Sequence, residues 1–104
     1  MAVIHRRVFF AKVGQADPLV SHFQEVDKEM QKHGVDMKTR ILTDHLSGRS
    51  DRVAIEWELE DLSDLDAALG GLMATPEGQA FFGDWLEKLN GFILYSEADN
   101  WHVR

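Results

Sequence analysis

Cysteine is absent from this chain. That removes disulfides, thiol nucleophiles and cysteine-built zinc sites together, and it suits a reducing compartment. Long apolar runs are also absent: none approaches the ~20 residues of a membrane span. The opening MAVIHRRVFF lacks the apolar core and small-residue cleavage site of a secretory leader. A cytoplasmic protein with no membrane partner is expected. Positive charge is scarce, with 11 Lys and Arg against 18 Asp and Glu and a formal net charge of −7. Nucleic acid needs a basic face. The bases here are scattered, so no nucleic-acid partner is expected. Proline occurs only twice, as Pro18 and Pro76, each where a helix would begin.

What is present suits a single globular domain over residues 1–104. The chain is 44% hydrophobic and 28% charged, and its length is that of one domain. Its organising stretch is Asp51–Glu60, DRVAIEWELE. Val53, Ile55, Trp57 and Leu59 alternate with Ala54, Glu56, Glu58 and Glu60. A period of two predicts a strand with one apolar and one polar face. Residues 2–13 predict a first strand, apolar on both parities and therefore covered on both faces.

A helix follows over 18–33. Asp17 caps it, Pro18 opens it, and Leu19, Phe23, Val26, Met30 and His33 form one stripe. Gly34 supplies the left-handed stop and Val35 its apolar contact. Residues 36–46 predict an edge strand, and the turn at 47–50 makes a hairpin with 51–60. Leu62, Leu65, Leu69, Leu72 and Met73 predict a second helix, capped by Asp61 or Ser63 and weakened at Gly70-Gly71. Thr75-Pro76 restarts a helix carrying Phe82, Trp85, Leu86 and Leu89, ended by Asn90-Gly91. Residues 92–103 predict the last strand.

The order β-α-β-β-α-β predicts an α+β, ferredoxin-like domain. Right-handed crossovers put both helices on one side of the sheet. The other side would then expose Ile4, Val8 and Phe10 from the first strand and Ile93, Tyr95, Trp101 and Val103 from the last. A patch of that kind marks an interface. A two-fold homodimer with its sheets face to face, a dimeric α/β barrel, would cover it.

These elements, the hairpin and the string TPEGQAFFGDWLEKL resemble the antibiotic-biosynthesis-monooxygenase-like family of dimeric α/β barrels. Thr75, Pro76, Gln79, Ala80 and Phe81 stand where the family has a Ser/Thr-Pro-His-Phe-Gln-Ala-Phe segment. The resemblance implies the fold, the dimer and a small-molecule pocket between helices and sheet. It also implies that any oxidation would proceed without metal or flavin, hence without a cofactor. The family's oxygenase residues do not carry over. Leu59 and Ala68 fall where a Trp and a His would stand, Glu77 replaces the His of the segment, and Arg7 replaces an Asn of the haem-degrading branch.

The candidate pocket residues are His5, Arg7, Phe9, Trp57, Glu77, Phe81 and Trp85. Trp57 is either a pocket wall or a core tryptophan with a bonded N–H. Arg7 meets a ligand anion, pairs with Glu77, or snorkels to the surface. His5 shares its strand face with Arg7 and is the histidine best placed to reach a pocket, whereas His22 and His33 would be partly exposed on their helix. No histidine pair has metal spacing, so no metal is expected. Glu56, Glu58 and Glu60 read as a cross-strand ladder with Arg6, Lys12, Lys38 or Arg40, or as a general acid/base pair. Two functions follow: a small-molecule-binding or cofactor-independent monooxygenase-like protein acting on a planar, partly apolar compound, or a non-catalytic dimerisation or stress-associated module with no pocket ligand.

Overall fold

The computed structural model describes residues 2–45 and 51–104. The chain runs β1 (Val3–Ala11), α1 (Ala16–Lys32), β2 (Lys38–Thr43), β3 (Arg52–Leu59), α2 (Ser63–Leu72), α3 (Pro76–Phe92) and β4 (Ile93–His102). One four-stranded sheet has the order β2-β3-β1-β4, with every neighbouring pair antiparallel. All three helices pack on the face carrying Phe9, Val53 and Ile55, through Leu19 and Phe23 of α1, Leu72 of α2 and Trp85 of α3. This is the α+β, ferredoxin-like arrangement expected from the element order. The expected turn at 47–50 lies outside the described residues.

Alternation does what it should in β3. Val53, Ile55 and Leu59 are buried beneath the helices, and Glu56 and Glu58 reach the opposite face. The stop of α1 also forms as expected. Gly34 has φ +76°, its N–H donates to Gln31 O at 3.1 Å, and the Val35 N–H donates to Met30 O at 2.9 Å. Those two bonds satisfy carbonyls that the helix end would otherwise leave bare. At the start of α3 the Gly78 N–H donates to Thr75 Oγ1 at 3.1 Å, with Pro76 in the first turn.

Three boundaries and one strand register differ from expectation. α1 starts at Ala16, and Gln15 is its N-terminal flank without a side-chain bond. Asp17 already has helical geometry, so it serves as a first-turn anion facing the helix dipole instead of a cap. α3 continues through Asn90 and Gly91 to Phe92, because Gly91 keeps a negative φ. β2 is shorter than expected, ending at Thr43. In β4 a register shift opposite Phe10 and Ala11 reverses the side-chain parity. Ile93 consequently packs against the core, while Tyr95 and Trp101 remain on the open face.

Candidate functional site

Between the helices and the sheet lies a cavity of about 350 Å³, within the range of small-molecule sites. Its floor is the helix-facing side of the sheet: His5, Arg7 and Phe9 of β1, Ile55 and Trp57 of β3, and Thr39 and Ile41 of β2. Its roof is Phe23, Val26 and Met30 of α1, Leu65 and Leu69 of α2, and Phe82, Trp85 and Leu86 of α3. Strand register explains the floor. Thr39 lies opposite Trp57, Trp57 opposite His5, and His5 opposite Asn100. One row of polar-capable side chains thus crosses all four strands, and the next row is Ile41, Ile55, Arg7 and Ala98.

His5 is 8% exposed and stacks on Trp57 with ring centroids 5.6 Å apart and planes 24° from parallel. Its Nδ1 lies 2.7 Å from Asn100 Oδ1. A carbonyl oxygen only accepts, so Nδ1 carries the proton and donates. Nε2 is buried and has no hydrogen-bond partner among the described residues. An orphaned buried acceptor costs about 1–3 kcal/mol. The Trp57 indole N–H has no hydrogen bond within the described residues either, so Trp57 is not a core tryptophan with a satisfied N–H.

Arg7 lines the cavity yet is exposed, and among the described residues it makes no ion pair. Two acids lie at the same cavity, Asp27 and Asp66. Burial without a compensating partner pushes the Asp27 carboxyl above its ordinary value, because a low-dielectric surround disfavours the ionised form.

Five of the seven expected pocket residues come together here: His5, Arg7, Phe9, Trp57 and Trp85. Phe81 does not line the cavity. It packs against the core, and its neighbour Phe82 faces the hollow, since one residue along a helix turns a side chain by about 100°. Glu77 forms no ion pair with Arg7 and sits 3.4 Å from Lys32 Nζ. Asn100 and Asp27 were not singled out from the sequence, and Phe82 was read there only as part of the α3 stripe. Asn100 depends on strand register. Asp27 follows Val26 on the buried side of α1, a placement that the helical stripe does signal.

Two further clusters resolve into structure. Glu29, His33 and Glu77 bring ligand-type atoms within 4.8 Å of one another. Lys32 Nζ lies between them, 3.5 Å from Glu29 and 3.4 Å from Glu77, so the negative charge is already met. Glu29 first, then Glu77, raise the Lys32 pKa. His22, expected to be partly exposed, is 4% exposed. It stacks on Trp85 at 4.6 Å, with planes 2° from parallel. Its Nε2 meets Trp85 O at 2.8 Å, and the Trp85 Nε1–H donates to His22 O at 2.7 Å.

On the open face the carboxylates form a ladder. Lys38 Nζ donates to Glu58 at 2.9 Å and Arg40 Nε to Glu56 at 3.0 Å. The register continues from Glu56 to Arg6 and from Arg6 to Asp99, giving a row of alternating charge across the sheet. Arg6 pairs with Asp99 at 3.1 Å, and that bond, followed by the Trp101 N–H, lowers the Asp99 pKa. Trp101, Tyr95 and Leu42 are exposed on this side. Among the described residues no helix is long and apolar enough to cross a membrane.

No protein-family profile and no curated protein matches this chain. Solved structures do. An uncharacterised NIPSNAP domain protein from Burkholderia xenovorans superposes with a TM-score of 0.73 at 17% identity, over 98% of this chain and 94% of that one. SnoaB from Streptomyces nogalater, described as a cofactor-independent oxygenase and solved as a point mutant, gives 0.66 at 15% identity, over 99% and 93%. A dimeric protein of unknown function with a ferredoxin-like fold, from Bacteroides fragilis, gives 0.66 at 17%, over 98% and 96%. Likeness at such identities speaks to architecture alone. This chain is a ferredoxin-like α+β domain, the fold it shares with those proteins.

Proposed function

We propose that this protein binds a small, planar, partly apolar compound beneath its helices, with Arg7 meeting negative charge on that compound. The observation that carries the reading is a hollow of about 350 Å³ walled by Phe9, Trp57, Phe82 and Trp85, its lining including an arginine with no ion pair among the described residues. A packed core leaves few voids larger than a water molecule. If the bound compound is electron-rich, its reaction would be direct oxygenation by dioxygen, without metal or flavin. The shared fold of SnoaB, a cofactor-independent oxygenase by description, motivates that half of the reading. Localisation in the cytoplasm belongs to the same proposal.

The test is native mass spectrometry of freshly purified protein, followed by thermal shift against planar aromatic acids and phenols. A retained adduct, or a shift that disappears with Trp57→Ala, supports the reading. No adduct and no shift across the panel contradicts it.

A homodimer completes the proposal. The open face carries Trp101, Tyr95 and Leu42 around the row Arg40, Glu56, Arg6, Asp99. A two-fold axis lying between the sheets and parallel to the strands reverses that row on itself. Arg40 would then face the partner's Asp99, and Glu56 the partner's Arg6. Self-complementarity of this kind is what an isologous interface requires. Light scattering should give twice 11.9 kDa, and a stable monomer would contradict the interface. The alternative, a non-catalytic dimerisation or stress-associated module, keeps the dimer mass and shows no ligand in the first test.

A further inference from the structure

Among the buried side-chain polar atoms of the described residues, one on the cavity wall has no hydrogen-bond partner. His5 is 8% exposed, and its Nε2 is buried without a partner among the described residues. Nδ1 is tied to Asn100 Oδ1 at 2.7 Å, so the proton is held on the β4 side of the ring. The lone pair therefore sits on Nε2, across the ring from β4. His22 differs: its ring nitrogen that meets Trp85 O is satisfied at 2.8 Å. One buried imidazole is thus satisfied, and the second, on the wall of the cavity, keeps a free acceptor.

We infer that His5 is the proton acceptor of this site, and that its ligand is a planar, largely apolar compound carrying one acidic hydroxyl. This rests on the small-molecule reading above and adds the substrate class and the residue that recognises it. The ligand O–H donates to Nε2. On transfer, the O–H bond breaks with its electron pair left on oxygen, and an N–H bond forms at Nε2. The imidazolium so produced stays hydrogen-bonded to Asn100 through Nδ1. The oxyanion meets Arg7, two residues along the same strand and on the same sheet face.

Each neighbouring element fits the inference. β3 supplies Trp57, whose ring lies against His5 and offers a surface for a second planar group. β4 supplies Asn100, a neutral acceptor that orients the ring without adding charge. α1 and α2 bring Asp27 and Asp66 to the cavity. α3 brings only Phe82, Trp85, Leu86 and Leu89. The cation Arg7 is therefore the group that would favour a ligand oxyanion, and the two acids disfavour a ligand anion placed near them. The hydroxyl is expected at the β1 end of the cavity, with the apolar body beneath Phe82 and Trp85. An imidazole placed and oriented in this way is suited to general-base work.

The probes are nitrophenols and nitronaphthols, each compared with its methyl ether, which keeps the shape and lacks the proton. Ionisation of the bound probe is read from its visible absorption. Wild-type protein should bind each hydroxyl compound about tenfold or more tightly than its ether, the difference a lost buried hydrogen bond makes. The bound probe should be ionised at a pH where the free probe is still protonated. His5→Phe should remove both effects, with circular dichroism verifying its fold. Asn100→Ala, an exposed position, should weaken both by freeing the tautomer. Nitrogen-15 NMR of the ring should show the proton on Nδ1 in the free protein and on both nitrogens in the complex. Equal binding of hydroxyl compound and ether, unchanged by His5→Phe, overturns the role of His5 and leaves the cavity reading intact. A free-state proton on Nε2 of the neutral ring overturns it as well. Failure of wild-type protein to bind any probe of either kind overturns the cavity reading and this inference together.

Discussion

The core holds two histidine–tryptophan stacks, and they differ in one respect that matters. His22 and Trp85 lie face to face at 4.6 Å, and each side chain bonds the other's backbone carbonyl, at 2.8 and 2.7 Å. They clamp α1 to α3, and their ring N–H groups point at each other's main chain. His5 and Trp57 lie farther apart, at 5.6 Å, on neighbouring strands. Their remaining polar atoms, Nε2 and the indole N–H, have no protein partner among the described residues. The first pair shows what this fold does when an aromatic pair is structural. The second departs from that pattern at the cavity wall, and the departure is where a ligand is expected.

Substitutions should separate the two pairs. Trp85→Ala removes a side chain only 7% exposed together with its bond to α1, so it should cost about 3–5 kcal/mol in chemical denaturation. Gly78→Ala tests the packing that sets the roof. A methyl group there would fall 1.8 Å from the Leu72 carbonyl oxygen, forcing α2 and α3 apart at a cost of about 1–3 kcal/mol. An unchanged denaturation midpoint would show that α2 and α3 do not meet in this way. Trp57→Ala should shift the balance from stability to binding: a smaller stability loss than Trp85→Ala, and loss of aromatic probe binding in fluorescence titration. Equal stability losses at Trp57 and Trp85, with binding retained, would erase the distinction.

The smallest effect concerns Asp27. Its folded pKa is raised above the ordinary 3.8 by burial, so folding favours the protonated form. The penalty is absent below the unfolded pKa and complete above the folded one. Stability should therefore fall as pH rises through that interval. Asp27→Asn should flatten this part of the pH profile and be slightly more stable at neutral pH, as read by thermal melts across the acid range.

Much of this was legible beforehand, for identifiable reasons. Strict alternation around Trp57, the Gly34 stop and the Thr75-Pro76 start are local signals, and each is enough to place an element. What was not legible depends on pairing between distant strands. The shift opposite Phe10 and Ala11 sends Ile93 inward, and no local pattern announces it. The bond from His5 to Asn100 spans 95 positions and follows only from register. Phe82 lines the cavity where Phe81 was expected, although the stripe of Phe82, Trp85, Leu86 and Leu89 already put Phe82 on the buried side of α3. His22 was missed for a different reason. It lies three residues after Leu19 and four before Val26, inside the stripe, and its polarity hid what its spacing showed.

The most direct measurement is a crystal structure of the protein soaked with one nitronaphthol. The account predicts the ring within the cavity beneath Phe82 and Trp85, and the hydroxyl oxygen about 2.6–3.0 Å from His5 Nε2. An unfilled cavity at saturating probe, or a probe bound with its hydroxyl turned away from His5, would contradict it.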